Sequence, residues 1–151
     1  MTRNEDEEYF VDGLLHREDG PAVIINPLIK KWYKHGKKHR VDGPAYQCGS
    51  YEEWWIYDTL HREDGPAVVG GLSREWWLHG KRHRLDGPAV ERDMKVYKYP
   101  LYEKEWWLFG IEYKTEEEYR RKVEEFKNNI VLQLENIGIC NSVVNIVKTF
   151  L

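Results

Sequence analysis

Cysteine is scarce in this sequence. The 151-residue chain holds two, Cys48 and Cys140, far apart and in unlike contexts. Neither belongs to a Cys-x-x-Cys or Cys/His group, which excludes zinc-ribbon and thioredoxin-type motifs and is simplest to reconcile with a reducing, intracellular compartment. Long apolar runs are absent too, and none approaches the ~20 residues that a membrane-spanning helix needs. Residues 1–8, MTRNEDEE, lack the apolar stretch of a signal peptide and the Arg/Ser bias of a transit peptide, and read as a flexible polar start. Nor is one sign of charge in excess: 23 Lys and Arg stand against 26 Asp and Glu, giving −3. Nucleic-acid binding needs a basic face that displaces counterions, so nucleic acid is not an expected partner. There is no P-loop, no Gly-x-Ser-x-Gly and no Cys/His ligand set, so no catalytic centre, cofactor or metal is expected.

Aromatic residues are plentiful: seven Trp, ten Tyr and four Phe. Their placement exposes a repeat. The stretch Trp76–Ala89, WWLHGKRHRLDGPA, has close copies at Trp32–Ala45, Trp54–Ala67 and Tyr9–Ala22, and a half copy at Trp106–Lys114. The Asp-Gly-Pro-Ala tetrads begin at Asp19, Asp42, Asp64 and Asp86, at spacings of 23, 22 and 22 residues. A period of this length means stacked supersecondary units, each too small to bury its own apolar face.

Each unit opens on an aromatic pair that favours a strand. Four residues after the first aromatic comes Gly13, Gly36, Gly80 or Gly110, with Asp58 in the third unit, as a tight hairpin turn requires. His-Arg follows on what reads as the returning strand. Asp-Gly-Pro-Ala then breaks it: Asp through an Asx-turn, Gly by permitting the bend, Pro by lacking an N–H. Each unit therefore reads as one β-hairpin plus a linking turn, and the array as an antiparallel meander over residues 9–114. Units one and three share LHREDGPAV, and units two and four share His-Gly-Lys-basic-His-Arg-apolar-Asp-Gly-Pro-Ala, so the array is a duplicated two-hairpin block. The link from Ala89 to Trp106 is longer than the others, and reads as either an extended hairpin or a protruding loop. At Thr115 the period changes. Thr115 as N-cap, Glu118 at N3 and a first turn of acids predict a helix with Tyr119, Val123, Phe126, Ile130 and Leu134 on one face and a stop at Gly138. A second helix is expected to start at Asn141 or Ser142 and to carry Val143, Ile146, Val147 and Phe150. Residues 115–151 thus form a C-terminal helical cap.

Stacking sets equivalent residues in columns. His16, His39, His61 and His83 form one, with Asp19, Asp42, Asp64 and Asp86 beside it. His-Asp pairing can tune imidazole for metal or acid/base work. Four copies favour the plainer reading, in which each His bonds to its own or the next unit and holds the stack. His35 and His79 stand four residues before His39 and His83, across a turn, so each pair is a possible two-imidazole face. Arg17, Arg40, Arg62 and Arg84 form a second column with Lys31, Lys37, Lys38, Lys81 and Arg82 near it. This suits phosphate or an anionic membrane surface, or else ion pairs with Glu18, Asp19, Glu63 and Asp64; the ion pairs are preferred. Tyr33, Trp55, Trp77 and Trp107 alternate in direction with Trp32, Trp54, Trp76 and Trp106. Either one ladder is exposed and binds a partner, or both are buried. His-Arg-x-Asp resembles the catalytic loop of protein kinases, but it repeats and no other kinase element accompanies it.

The unit resembles the MORN (membrane occupation and recognition nexus) repeat family. Trp76, Gly80, Lys81 and His83, and Trp32, Gly36, Lys37 and His39, match its aromatic strand, Gly-Lys turn and following His. Arg stands where the family usually has Gly, and Asp-Gly-Pro-Ala replaces a shorter step. This variant is similar to diverged repeats of large DNA viruses of amoebae, including marseillevirus-like viruses. The resemblance covers residues 9–114. It implies scaffolding, protein contact and in some members lipid contact, and with the repeat count the expectation is an elongated, curled sheet of about five hairpins acting as a non-enzymatic scaffold. The unpaired strand edges at the ends of such an array predict self-association as a homodimer, through the end near Tyr9 rather than the end covered by the helical tail.

Overall fold

Two rows of hairpins, not one, make up the array. The computed structural model describes residues 6–96, 99–139 and 143–144. In chain order, β1 (Glu7–Glu8) leads into a short hairpin, β2 (Phe10–Val11) and β3 (Leu14–Leu15), and then a wider one, β4 (Val23–Ile25) and β5 (Ile29–Lys31). The alternation continues with β6 (Tyr33–Lys34) and β7 (Lys37–Lys38), then β8 (Tyr46–Cys48) and β9 (Tyr51–Glu53). It goes on through β10 (Trp55–Ile56) and β11 (Thr59–Leu60), then β12 (Val68–Gly70) and β13 (Ser73–Glu75). After β14 (Trp77–Leu78) and β15 (Lys81–Arg82) come β16 (Val90–Val96), β17 (Tyr99–Leu108), β18 (Ile111–Tyr113) and helix α1 (Glu116–Asn136).

The wider hairpins pair edge to edge into a ten-stranded antiparallel sheet, β1-β4-β5-β8-β9-β12-β13-β16-β17-β18. The mainly β, antiparallel meander with a C-terminal helix matches the expected fold class. Its construction does not match the single-hairpin unit. The large sheet is built from the segments that the sequence assigns to links, such as Val23-Ile24-Ile25 and Val68-Val69, together with the residues just before each aromatic pair. These segments are rich in β-branched residues and are bounded by turn formers. Glu7 and Glu8, grouped by sequence with the polar start, join this sheet by pairing with Ile24 and Val23. The long link is an extended hairpin, with β16 and β17 in register from Val90↔Glu105 to Val96↔Tyr99.

The aromatic hairpins form the second row. Their strands are two residues long in units one to four, and His-Arg lies beyond them rather than on the returning strand. The turns have positive φ at both central residues: His35 48° and Gly36 76°, Tyr57 47° and Asp58 62°, Phe109 50° and Gly110 83°. That geometry matches the right-handed twist of a two-residue hairpin loop. Asp58 does what glycine cannot, because its Oδ1 accepts the Lys38 N–H of the preceding unit at 2.8 Å. Two backbone bonds join each short hairpin to the next. Gly36 N–H donates to Leu15 O (2.8 Å) and Arg17 N–H to Tyr33 O (3.3 Å), and the pattern recurs at every later step.

The two rows meet at Ala-aromatic contacts. Trp32, Trp54 and Trp76 donate backbone N–H to Ala45, Ala67 and Ala89 carbonyls, each at 2.8 Å. Ala22, Ala45, Ala67 and Ala89 are completely buried, so the tetrad's last residue is a core position that only a small side chain fits. Larger buried residues gather at the C-terminal end, where Leu108, Tyr119 and Val123 pack with Leu85, Trp106 and Tyr113. Helix α1 starts as expected, with Thr115 Oγ1 accepting the Glu118 N–H (3.2 Å). It ends at Gly138 (φ 77°), where Ile139 N–H reaches Leu134 O. Burial along its apolar face is complete at Tyr119 and Val123 and partial at Phe126, Ile130 and Leu134. Of the expected second helix, Val143 and Val144 are described, and Val144 is buried. Its proposed caps, its other apolar positions and Cys140 lie outside the described residues. Among the described residues no helix is long and apolar enough to cross a membrane.

Candidate functional site

The arginine after each repeat histidine is held on three sides. Arg40 Nε donates to Asp42 Oδ1 at 2.9 Å, its Nη1 reaches Pro44 O at 3.4 Å, and its guanidinium lies 4.2 Å from the Trp32 ring centre. Arg17, Arg62 and Arg84 repeat the pattern on Tyr9, Trp54 and Trp76, at 4.0, 4.0 and 3.9 Å. The carboxyls of Asp19, Asp42, Asp64 and Asp86 are held below the usual range, chiefly by these arginine hydrogen bonds. The ion pairs favoured by sequence are present, but they run two residues along the chain rather than across strands, and they use the aspartates. The tetrad glycines owe their identity to the same clamp. A Cβ on Gly43 would stand 2.9 Å from Arg40 Cζ, and Gly20, Gly65 and Gly87 are in the same position at 3.2, 3.2 and 3.0 Å. None of the four has a positive φ, so what a Cβ would meet here is the guanidinium, which would have to shift off its ring, and not a strained bend.

The histidine column holds neighbouring units together. Backbone N–H of His35, His79 and Phe109 donates to Nδ1 of His16 (3.0 Å), His61 (3.2 Å) and His83 (3.3 Å). The rings stack at the same junctions: His16 on His35 at 4.5 Å, His39 on Tyr57 at 4.0 Å, His61 on His79 at 4.4 Å and His83 on Phe109 at 4.1 Å. His35 and His79 therefore pair with the histidine of the preceding unit, not with His39 and His83. A hairpin turn sends its own return strand away and presents its first turn residue to the neighbour. Odd units add a carboxylate, Glu18 Oε1 at 3.1 Å from His16 Nε2 and Glu63 Oε1 at 3.6 Å from His61 Nε2. In even units Val41 and Leu85 occupy that position. Burial lowers the proton affinity of His83, and burial reinforced by Lys34 and opposed by Glu18 lowers that of His39. His39 Nδ1 is buried without a hydrogen-bond partner. Among the described residues no three of His, Cys, Asp and Glu are placed to hold a metal ion.

Neither aromatic ladder is fully buried or freely exposed. Trp32, Trp54 and Trp76 lie under the arginines, and Tyr33, Trp55, Trp77 and Trp107 are half-buried on the other side. The indole N–H groups of Trp55, Trp77 and Trp107 donate to Glu53, Glu75 and Glu105, two residues earlier. Cations are interleaved with them. Lys38 Nζ is 4.6 Å from the Trp55 ring, and Arg82 stands between Trp77 (5.3 Å) and Trp107 (5.2 Å) while bonding Glu75 and Glu105. Burial pushes the Glu105 carboxyl up, but the hydrogen bonds from Arg92 and Trp107 outweigh it and the net shift is downward. In odd units the equivalents of Lys38 and Arg82 are Leu15 and Leu60, paired with Phe10 and Trp55.

Between consecutive tetrads the surface opens into grooves. The one between units two and three, walled by Arg40, Val41 and Pro44 on one side and Trp54, Ile56 and Asp64 on the other, has a volume of about 1140 Å³. The grooves before and after it measure about 420 and 560 Å³. Sequence reasoning did not find this site. The sole signal for it is the apolar residue after Arg in even units. Fold and columns together define a hairpin-repeat protein that is stacked by its own polar motif and closed at one end by a helix. No protein-family model, curated protein or solved structure matches the chain.

Proposed function

We propose that the chain is a non-enzymatic, MORN-like protein-interaction or scaffolding module that acts inside the cell, and that its diverged His-Arg-x-Asp-Gly-Pro-Ala form is viral. One observation carries the reading. In each full unit the residues capable of chemistry (His, Arg and Asp) are engaged with each other, with the next unit or with a ring, whereas apolar side chains and grooves remain free. Val41 is 81% exposed, and Phe10, Val11 and Leu14 of the first unit are 55, 47 and 49% exposed. Exposed apolar surface of this kind is what protein interfaces cover. The first unit's residues are the surface for self-association into a homodimer. The test is cross-linking and co-purification from expressing or infected cells, combined with sedimentation of the pure protein. A stable complex with a protein or with itself is expected. A strictly monomeric chain that retrieves nothing would overturn the reading. Binding to phosphate or anionic lipid through Arg17, Arg40, Arg62 and Arg84 ranks second, because each guanidinium already has a carboxylate and a ring. Flotation with anionic vesicles at low salt would have to succeed for it to replace the first.

A further inference from the structure

The internal duplication places one docked helix and one empty groove at equivalent steps of the array. At the step from unit four to unit five, Leu85 is covered by α1. Tyr119 donates its hydroxyl to the Arg84 carbonyl and its ring lies 5.0 Å from Trp106; Val123 is buried beside it, and Phe126 meets Phe109 at 4.9 Å. The helix also buries Gly87 and Pro88, whereas Gly43 and Pro44 are only half-buried. At the step from unit two to unit three the same positions are Arg40 and Val41, 44 residues before Arg84 and Leu85, and Trp54, Ile56 and Tyr57, 52 residues before Trp106, Leu108 and Phe109 because the last link is longer. There Val41 is exposed and the groove is open. Under α1 the corresponding space has shrunk to about 230 Å³.

We infer that the groove over Val41 is the docking site for an amphipathic helix of a partner protein, seated as α1 is seated over Leu85. This rests on the interaction-module reading and names the partner's chemistry. The helix must offer an aromatic residue and, four residues later, an aliphatic one, as Tyr119 and Val123 do, because the footing is an apolar side chain beside a tryptophan. It must also offer a basic side chain where its margin meets the rim. Of the carboxylates at the rim, Asp42 and Asp64 are already paired with Arg40 and Arg62, whereas Glu63, its side chain 80% exposed, has no arginine partner among the described residues and can meet one. In the occupied step, Arg120, Glu124 and Lys127 of α1 line the remaining space together with Asp86, and Arg120 bonds Glu116. Odd steps carry Glu18 or Glu63 in place of the apolar footing, which explains why only even units are equipped. The chain's own α1 is not the occupant, since Tyr119 and Val123 are buried at 2 and 7% exposure where they stand.

The probe is a labelled peptide of residues 115–136, added to the full-length protein and read by fluorescence anisotropy. Saturable binding is expected, weakened about ten-fold or more by Val41→Glu. Val41 is so exposed that this variant should unfold at the wild-type temperature. No binding to the wild type, or equal binding to Val41→Glu, would overturn the inference. So would loss of binding with Leu85→Glu alone, which would mean that the peptide displaces α1. Concentration-dependent dimerisation abolished by Val41→Glu would assign the groove to a second copy and overturn the choice of partner. If a protein partner found by co-purification still binds Val41→Glu, the groove fails as its site while the interaction-module reading stands.

Discussion

At the scale of single residues, each repeated side chain has one geometric job, and the jobs depend on each other. The guanidinium of Arg40 needs Trp32 beneath it, Asp42 beside it and no Cβ at Gly43. Gly43→Ala is therefore expected to cost about 1–2 kcal/mol in urea unfolding. Most of that cost should vanish in an Arg40→Ala background, because the clash partner has gone; a full, additive cost in the double-mutant cycle would show that the backbone, not the arginine, needs glycine. The histidines give stability a pH dependence. His39 and His83 bind protons less readily folded than unfolded, so the unfolded chain takes up more protons as pH falls. Their contribution is complete above the ordinary histidine range near pH 6.5 and is lost as pH falls through it toward the depressed folded values. The aspartates act in the same direction but lower, below about pH 4. The melting temperature should thus drop between pH 7.5 and 5.5, and His39→Phe should flatten that slope. This variant keeps the stack on Tyr57 and loses no hydrogen bond at Nδ1, which has none. An unchanged slope would remove His39 from the account.

At the scale of elements, a two-residue hairpin is held by its turn and its neighbour more than by its own ladder. Asp58 shows the balance. Its φ of 62° is unfavourable for a side chain, yet Oδ1 accepts the Lys38 N–H. Asp58→Ala keeps the strain and loses the bond, and is expected to cost about 1–2 kcal/mol. Asp58→Gly loses the bond but relieves the strain, and should be close to neutral. Equal costs by thermal or chemical unfolding would contradict this. The hairpins were legible in the sequence because Gly36, Gly80 and Asp58 are local signals, as Thr115 is for α1. The ten-stranded sheet was not legible as such. Val68-Val69-Gly70 and Ser73-Arg74-Glu75 are as short as any link, and they become strands by pairing with each other and with β9 and β16. The candidate site was less legible still: Val41 differs from Glu18 by one residue type, and its groove exists only once the next unit stands beside it.

At the scale of the molecule, the array is a chain of similar junctions with little core between them. Stability in such a stack is carried by nearest-neighbour contacts, and the ends are its weak points. Helix α1 takes the place that a fifth His-Arg-x-Asp-Gly-Pro-Ala segment would hold, with Tyr119 lying on Trp106 as Arg62 lies on Trp54. Its burial pushes the Tyr119 hydroxyl up to about 12, so it stays a proton donor throughout the physiological range. A chain ending after Lys114 would bare Leu85, Trp106 and Leu108, and should bind an apolar dye and elute as aggregates in gel filtration. Tyr119→Phe keeps the packing and loses the bond to the Arg84 carbonyl, for about 1–2 kcal/mol without aggregation. A monomeric, dye-silent truncation would deny α1 its closing role.

The sequence alone determined the period, the turns, the start of the helix and the alternation of odd and even units. These depend on which residues tolerate a positive φ, cap a helix or recur at a fixed distance, and all of that can be read within one unit. Only the tertiary structure decided that the links form the main sheet, that Ala22, Ala45, Ala67 and Ala89 are core, that His16 meets His35 rather than His39 meeting it, and that one groove is filled while its equivalent is open. Each of these depends on the offset between one unit and the next, which backbone hydrogen bonds such as Gly36 N–H to Leu15 O set across about 20 residues of chain.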